Sequence, residues 1–449
     1  MKQIFEGNIK KNFLVFSIPL ILSALLSSAH SIINSMMSSN LLGEEALSAI
    51  GSTSPLISLI SSICWGYGTG FSVYVAMLIG TGDYKKTANV VKINMLFSSL
   101  FVLTLSALCI IFHSAIFNFL NIGQDLWDAA FAYFAVYIGG LVIFNLTWCG
   151  IYISNALGMT KLPLIASIIS NVLNITLNYV FIKFLHFGVE GTALASVISA
   201  SVIGIFYIVM ILKAFKKVGV SFKGIYFDKE EIRQSIRFGI PTTLQQSIMY
   251  LCTTLVSPLT NSCGASAIAG YTVGMKIYDL EANIYQNSNK TISTYVAQCM
   301  GAKRYSIIKK GLKIGLTQTF TILASSLLPV VIFANVISGL FLDKPDSINY
   351  SNIFLQYCLP FVFFNTLNNM FHALFRSTGA GRILVISTLV YAVSRVVFSY
   401  VLFNKFEMYG IFAAIVLSWV TEAIFGIIVY FSGKWKSDEY AIATASCSE

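Results

Sequence analysis

Residues Lys213 to Arg237 read KAFKKVGVSFKGIYFDKEEIRQSIR. This is the longest polar and basic stretch in an otherwise apolar chain, and it carries Lys213, Lys216, Lys217, Lys223, Lys229, Arg233 and Arg237. A block of similar length and pattern lies on each side of it. The stretch reads as a cytoplasmic connector between two homologous membrane halves. The expected organisation is an N-terminal six-helix lobe over 1–212, the connector over 213–235, a C-terminal six-helix lobe over 236–433 and a cytoplasmic tail over 434–449.

Composition places the chain in a membrane. Of its 449 residues, 56% are hydrophobic and 11% charged, against roughly 25% charged in a soluble domain. Apolar runs of roughly 20 residues recur, each long enough to cross a bilayer as a helix. Backbone groups in lipid need internal partners, which makes such runs helical. The alternating pattern of a membrane barrel is absent. Apolar length and flanking charge give about twelve spans. The first of them follows Lys10 and Lys11 and resembles a signal peptide. Its apolar run continues through Ile32-Ile33, so it reads as an uncleaved membrane helix.

The net charge of +10 does not mark a nucleic-acid binder, because the basic residues gather in loops on one side. That side holds Lys10, Lys11, Lys85, Lys86, Lys161, the connector, Lys303, Arg304, Arg376 and Lys434, while the other holds only Lys183, Lys344 and Lys405. The asymmetry puts both termini and the connector in the cytoplasm. The eight cysteines are scattered, without CxxC or metal-ligand spacing. They read as small apolar core residues, not disulfides or a metal site. No phosphate loop, nucleophile triad or metal cluster is visible, so neither enzymatic activity nor a cofactor is expected.

The halves match each other at a spacing of about 221–222 residues. Ser17-Ile18-Pro19 answers Gly239-Ile240-Pro241, Gly80-Thr-Gly-Asp-Tyr84 answers Gly301-Ala-Lys-Arg-Tyr305, Gly158 answers Gly379, and Asn174 answers Arg395. Corresponding spans begin on the same side, so the repeats are parallel. The fold class expected is an all-α polytopic membrane protein: twelve transmembrane helices in two parallel-repeat six-helix lobes around a central cleft, suited to alternating access.

Several stretches resemble the multidrug and toxic compound extrusion (MATE) family. They are Ile18-Pro-Leu-Ile-Leu-Ser, Leu41-Leu-Gly-Glu-Glu-Ala-Leu-Ser-Ala-Ile-Gly51, Asn155-Ala-Leu-Gly-Met-Thr-Lys-Leu-Pro163, Ser170-Asn-Val-Leu-Asn-Ile-Thr-Leu-Asn178 and Gly188-Val-Glu-Gly-Thr-Ala-Leu-Ala. Their order covers nearly the whole chain. The resemblance implies a monomer in the bacterial inner membrane that exports organic cations and drugs, with inward flow of protons or sodium as the coupling ion. It implies membrane lipids and small-molecule organic substrates as partners, and no nucleic acid. Many members couple through an Asp on the first helix and one on the fifth; this sequence has Asn34 and Asn178 there. Another branch uses a Glu on the seventh helix and an Asp on the tenth; here those positions are Met249 and Asn365. An amide releases no proton, but its carbonyl can ligate sodium.

Ionisable groups at membrane depth are costly and mark candidate sites. They are His30, Lys276, Asp279, Glu281, Lys290, Arg395 and Glu422. Four of the seven lie on the eighth helix. At about 100° per residue, Lys276, Asp279, Asn283, Gln286 and Lys290 share one polar stripe, which should face water or the partner lobe. Lys276 and Asp279 either neutralise each other or serve the transport path. Glu281 points about 200° away from Asp279, either to a neighbouring helix or as a protonatable site. The substrate or coupling-ion candidates of the C-terminal lobe are therefore Lys276, Asp279, Glu281, Asn283, Gln286 and Glu422. Arg395 is expected to form a structural ion pair with an acid of the eighth helix, the alternative being contact with substrate. Asn34, Asn174 and Asn178 form either a neutral cation site or inter-helix bonds. The function expected is a secondary active exporter of amphipathic, often cationic compounds. The alternatives are a flippase for a lipid-linked saccharide, or a non-transporting membrane protein that kept the fold.

Overall fold

A computed structural model describes residues 4–42, 44–119, 124–222, 224 and 226–436. Gly43, Lys223 and the tail beyond Lys436 lie outside the described residues. All regular structure among the described residues is helical. The first half of the chain forms α1 (Ile9–Leu42), α2 (Glu44–Thr81), α3 (Tyr84–Ile111), α4 (His113–Phe119), α5 (Trp127–Gly139), α6 (Leu141–Ala156), α7 (Lys161–Lys183) and α8 (Val189–Lys217). The second half forms α9 (Lys229–Asn261), α10 (Ala265–Gly301), α11 (Ile308–Ile332), α12 (Ala334–Gly339), α13 (Pro345–Ile353), α14 (Val362–Ser377) and α15 (Gly381–Ser432).

The helix breaks repeat as the sequence does. A short helix follows the third span of each half, α4 in one and α12 in the other. The fourth span of each half is broken. In the first half, α5 and α6 bend by 47° at Gly140. In the second, α13 passes through a π turn, Phe354–Cys358, and a tight turn, Leu359–Phe361, before α14 begins. Pro360 supplies no N–H and crowds the carbonyl one turn back, and the wide π turn absorbs that mismatch.

Helix α15 is two spans. Its 52 residues would run about 78 Å at the α-helical rise, more than twice the ~30 Å hydrocarbon core. Glu407 breaks it with φ 48° and ψ −126°. Gly410 follows the break, and a Cβ there would sit 2.5 Å from the Leu402 carbonyl oxygen. Among the described residues seven helices are long and apolar enough to cross a membrane, and eight if the α5–α6 pair counts as one. Helix α15 counts once in that tally although it holds two spans. Helices α9, α10 and the broken α13–α14 miss the criterion because their faces carry polar side chains. Together these are the twelve expected spans.

The chain divides into two compact units. Among the described residues, unit 1 holds 22–243 and unit 2 holds 4–21 and 244–436. Each repeat thus gives the N-terminal part of its first helix to the other repeat's unit. In unit 2, the Ile4 N–H donates to Gln298 Oε1 at 2.8 Å, Ser17 Oγ donates to Thr291 Oγ1 at 3.1 Å, and Phe13 meets Tyr295 at 5.2 Å. In unit 1, Asn89 Nδ2 donates to Glu231 Oε2 at 2.7 Å and Asn94 Nδ2 to Ser235 Oγ at 2.8 Å. Gly66 and Gly70 on α2 let the start of α9 come close. A Cβ at Gly70 would lie 2.3 Å from the Phe238 carbonyl oxygen, and one at Gly66 would lie 2.5 Å from Thr243 Cα. Lipid offers no hydrophobic drive between helices, so small residues of this kind set the contact. The changeover points, 21/22 and 243/244, fall at the repeat spacing.

Candidate substrate and coupling sites

Unit 1 contains a cavity of ≈ 310 Å³. Part of its wall is aromatic, and the rest is largely Ser and Asn: Tyr137 stacks on Phe144 at 4.7 Å, and Phe144 stacks on Trp148 at 5.9 Å. Trp65 meets the edge of Trp148 at 5.4 Å. His30 and Asn174 also line it, and no Asp, Glu, Lys or Arg is among the described lining residues. Ring faces of this kind attract an organic cation by their quadrupoles.

Asn34, Asn174 and Asn178 come together beside it. Asn34 Nδ2 donates to Asn174 Oδ1 at 3.0 Å. Asn178 Nδ2 donates to Asn174 Oδ1 at 2.8 Å and to Asn34 Oδ1 at 3.1 Å. Asn34 Nδ2 also lies 3.0 Å from His30 Nε2. The trio joins α1 to α7, and Asn174 Nδ2 extends it to Ser196 on α8 at 3.2 Å. Two of the three carbonyl oxygens accept within the cluster, whereas Asn178 Oδ1 is buried without a partner. A cation entering here would find that oxygen free and would have to compete for the other two.

The six candidates of unit 2 divide among three places. Lys276, Asp279 and Gln286 are exposed along α10, and Asn283 is half-buried beside them, donating to the Asp279 carbonyl oxygen at 2.8 Å. No ion pair joins Lys276 to Asp279 among the described residues. Glu281 turns to α11, where Ser326 Oγ donates to its Oε2 at 2.7 Å. Glu422 is buried on α15 and faces α14.

Glu422 ends a chain that sequence reasoning missed. Arg376 Nη2 donates to Gln245 Oε1 at 2.9 Å, which orients that amide. Its Nε2 then donates to His372 Nδ1 at 2.9 Å. His372 Nδ1 is therefore the acceptor, and Nε2 carries the proton that meets Glu422 Oε1 at 2.8 Å. Ser387 Oγ donates to the same oxygen at 3.2 Å. Gln245, His372, Glu422 and Ser387 are all buried. The available signal was the spacing Asn365, Asn368, Asn369, His372, Arg376, which puts one polar face on α14. On that face Asn365 Nδ2 donates to the hydroxyls of Tyr278 and Tyr285 at 2.8 and 2.9 Å.

Arg395 departs from its expected pairing. It donates through Nη1 to the Ile411 carbonyl oxygen at 3.0 Å, and no carboxylate lies within ion-pair distance among the described residues. The α10 acids are occupied elsewhere: Asp279 is on the exposed stripe and Glu281 is turned to Ser326.

The MatE family signature matches residues 19–180 and again 241–401, once in each repeat. The chain belongs to the MatE family. It is accordingly an integral membrane protein. Among relatives, it is 21% identical over 427 residues to the multidrug export protein MepA of Staphylococcus haemolyticus, covering 95% of this chain and 94% of that one. It is 23% identical over 363 residues to the probable multidrug resistance protein YoeA of Bacillus subtilis, covering 79% and 78%. Its fold matches an outward-facing multidrug resistance MATE family transporter of the MOP superfamily with TM-score 0.88 at 22% identity, over 95% of this chain and 96% of the other. Both MatE blocks include candidate residues: the amide cluster of α7 in the first, and the α10 stripe and the α14 face in the second.

Proposed function

We propose that the chain is a secondary active exporter of amphipathic, often cationic organic compounds, driven by a proton or sodium gradient through alternating access. The observation that carries this reading is the family match across both repeats, shared with relatives described as multidrug export proteins. The partly aromatic, charge-free cavity of unit 1 offers a planar cation a place to bind. The bias of basic loops supports a plasma-membrane protein with both termini and the connector cytoplasmic.

Coupling is assigned to unit 2. Protonation of Glu422 removes the charge that His372 Nε2–H meets and gives the carboxyl a proton of its own to donate. Oε1 can still accept from His372 and Ser387, so protonation weakens the His372 contact and adds a donor on Oε2, and that change in the chain from Arg376 to Ser387 is the proposed bias. Glu281 is the second buried acid of unit 2 among the described residues. The exposed α10 stripe at membrane depth is best accounted for by a water-filled path, because lipid contact would be costly.

The test is efflux of a lipophilic cationic dye from proteoliposomes, with proton and sodium gradients imposed separately. Proton-driven flux supports the unit 2 acids. Sodium-driven flux without proton dependence moves coupling to the amide cluster. Absence of flux under both gradients overturns the exporter reading.

A further inference from the structure

Unit 2 has a cavity of its own, of ≈ 130 Å³, into which Arg395 opens. We infer that this cavity binds a small aromatic carboxylate, its acid group on the Arg395 guanidinium and its ring against Tyr271, Tyr278, Tyr391 and Trp419. The inference concerns a second class of ligand and does not rest on the exporter reading.

The argument begins with the charge. Arg395 is only 7% exposed. A guanidinium carries five N–H donors and no acceptor, and two of them are engaged here, one by the Tyr271 hydroxyl and one by the Ile411 carbonyl oxygen. The Ile411 bond ties α15 together across its break at Glu407. A neutral amide at 395 could make it equally well, so it does not account for a cation. A buried charge at membrane depth without a counter-ion is expensive. Asp279 follows Tyr278 along α10 but is exposed and outside the cavity wall, and Glu281 and Glu422 are bonded to Ser326 and His372. No other acid lines the cavity among its described residues. An anionic ligand supplies the missing charge, and a planar carboxylate fits the guanidinium fork with two parallel bonds.

The walls define the rest of the ligand. Trp419 and Tyr278 are stacked at 5.5 Å and 19°, and Asn365 holds the Tyr278 hydroxyl. The rings are therefore fixed before anything binds. Against the ~30 Å³ that one water occupies in the liquid, the cavity holds a single ring with one acid group and not a multi-ring drug.

The experiment is equilibrium binding of radiolabelled benzoate to the purified full-length protein in detergent, with benzamide and benzylammonium as competitors of the same ring size. The expected result is saturable benzoate binding that neither competitor displaces. Arg395→Gln should weaken it by about tenfold or more, the loss of a charged hydrogen-bonded pair. Arg395→Lys keeps the charge but not the fork, and should weaken it less while still preferring benzoate to benzamide. Lys at 395 also serves as the test should the Gln variant fail to fold. Absence of saturable binding to the wild type, equal competition by benzamide, or unchanged affinity in Arg395→Gln would each overturn the assignment. No gradient is imposed, so failure here leaves the transport reading untouched, and failed efflux leaves this site standing.

Discussion

In unit 1, three amides hydrogen-bond to one another beside a cavity of ≈ 310 Å³ whose described wall has no Asp, Glu, Lys or Arg. In unit 2, the cavity is ≈ 130 Å³ and carries Arg395, and the unit also contains a buried Glu422–His372 pair, on α15 and α14. The two units come from one repeat, and they keep its helix breaks and its exchanged first-helix segments. Backbone features survive duplication because twelve spans need them to pack. Under the proposed function this difference is a division of labour: a neutral cavity for the organic cation and a charged unit for the proton.

The largest expected effect breaks this division if it fails. Glu422→Gln keeps an acceptor for His372 but cannot be ionised, and proton-driven dye efflux should fall by about tenfold or more, as expected for loss of a functional acid at membrane depth. Glu422→Ala leaves His372 and Ser387 without their acceptor and should cost about 3–5 kcal/mol, read from unfolding of the purified protein. Asn174→Ala removes the oxygen that accepts from both Asn34 and Asn178, at a cost of about 1–3 kcal/mol, and should leave the proton dependence of efflux intact. The opposite pattern, with flux lost in Asn174→Ala under sodium and kept in Glu422→Gln, would put coupling in unit 1.

Next in size is the cavity wall. Trp148 stacks on Phe144 and meets Trp65 edge-on. Trp148→Ala should raise KM for a planar cation by about fivefold, the worth of about 1 kcal/mol of cation–π contact, with little change in kcat. An unchanged KM would remove unit 1 as the cation's place.

Much of this was readable in the sequence. The apolar runs, the one-sided basic loops and the 221–222 spacing gave the spans and the repeats. Asn174 and Asn178 are one turn apart on α7, and alignment brought Asn34 to them. The His372–Glu422 pair was not readable, because its partners are separated by 50 positions and nothing local distinguishes His372 from a packing residue. Its cue lay in the α14 face as a whole. The pairing expected for Arg395 failed for a related reason: periodicity shows which residues share a face, but not which neighbouring helix that face meets. The transfer of 4–21 and 229–243 between units was hidden because composition does not change at either switch point.

The two exchanged segments give the smallest and sharpest test. Unit 2 anchors residues 4–21 with the neutral side chains of Gln298 and Thr291 and with the Arg304 guanidinium over the Phe5 ring at 5.1 Å, and with no carboxyl among these contacts. Unit 1 anchors the start of α9 with the buried carboxyl of Glu231, in the connector, held by Asn89. Burial raises the Glu231 pKa above its ordinary value, partly offset by the Asn89 amide. A raised folded pKa means that the folded chain binds this proton more tightly than the unfolded one. Its contribution to stability is therefore full below the unfolded pKa, near 4.3, and declines as pH rises through the folded value. Glu231→Gln removes the titration and should flatten the stability profile over that window. The measurement is the midpoint of thermal unfolding against pH, wild type minus variant. A difference that shrinks to zero at acid pH and grows above it fits an anchor that costs charge burial. A constant difference would mean that Glu231 acts only through its hydrogen bond, as the neutral anchors of unit 2 do.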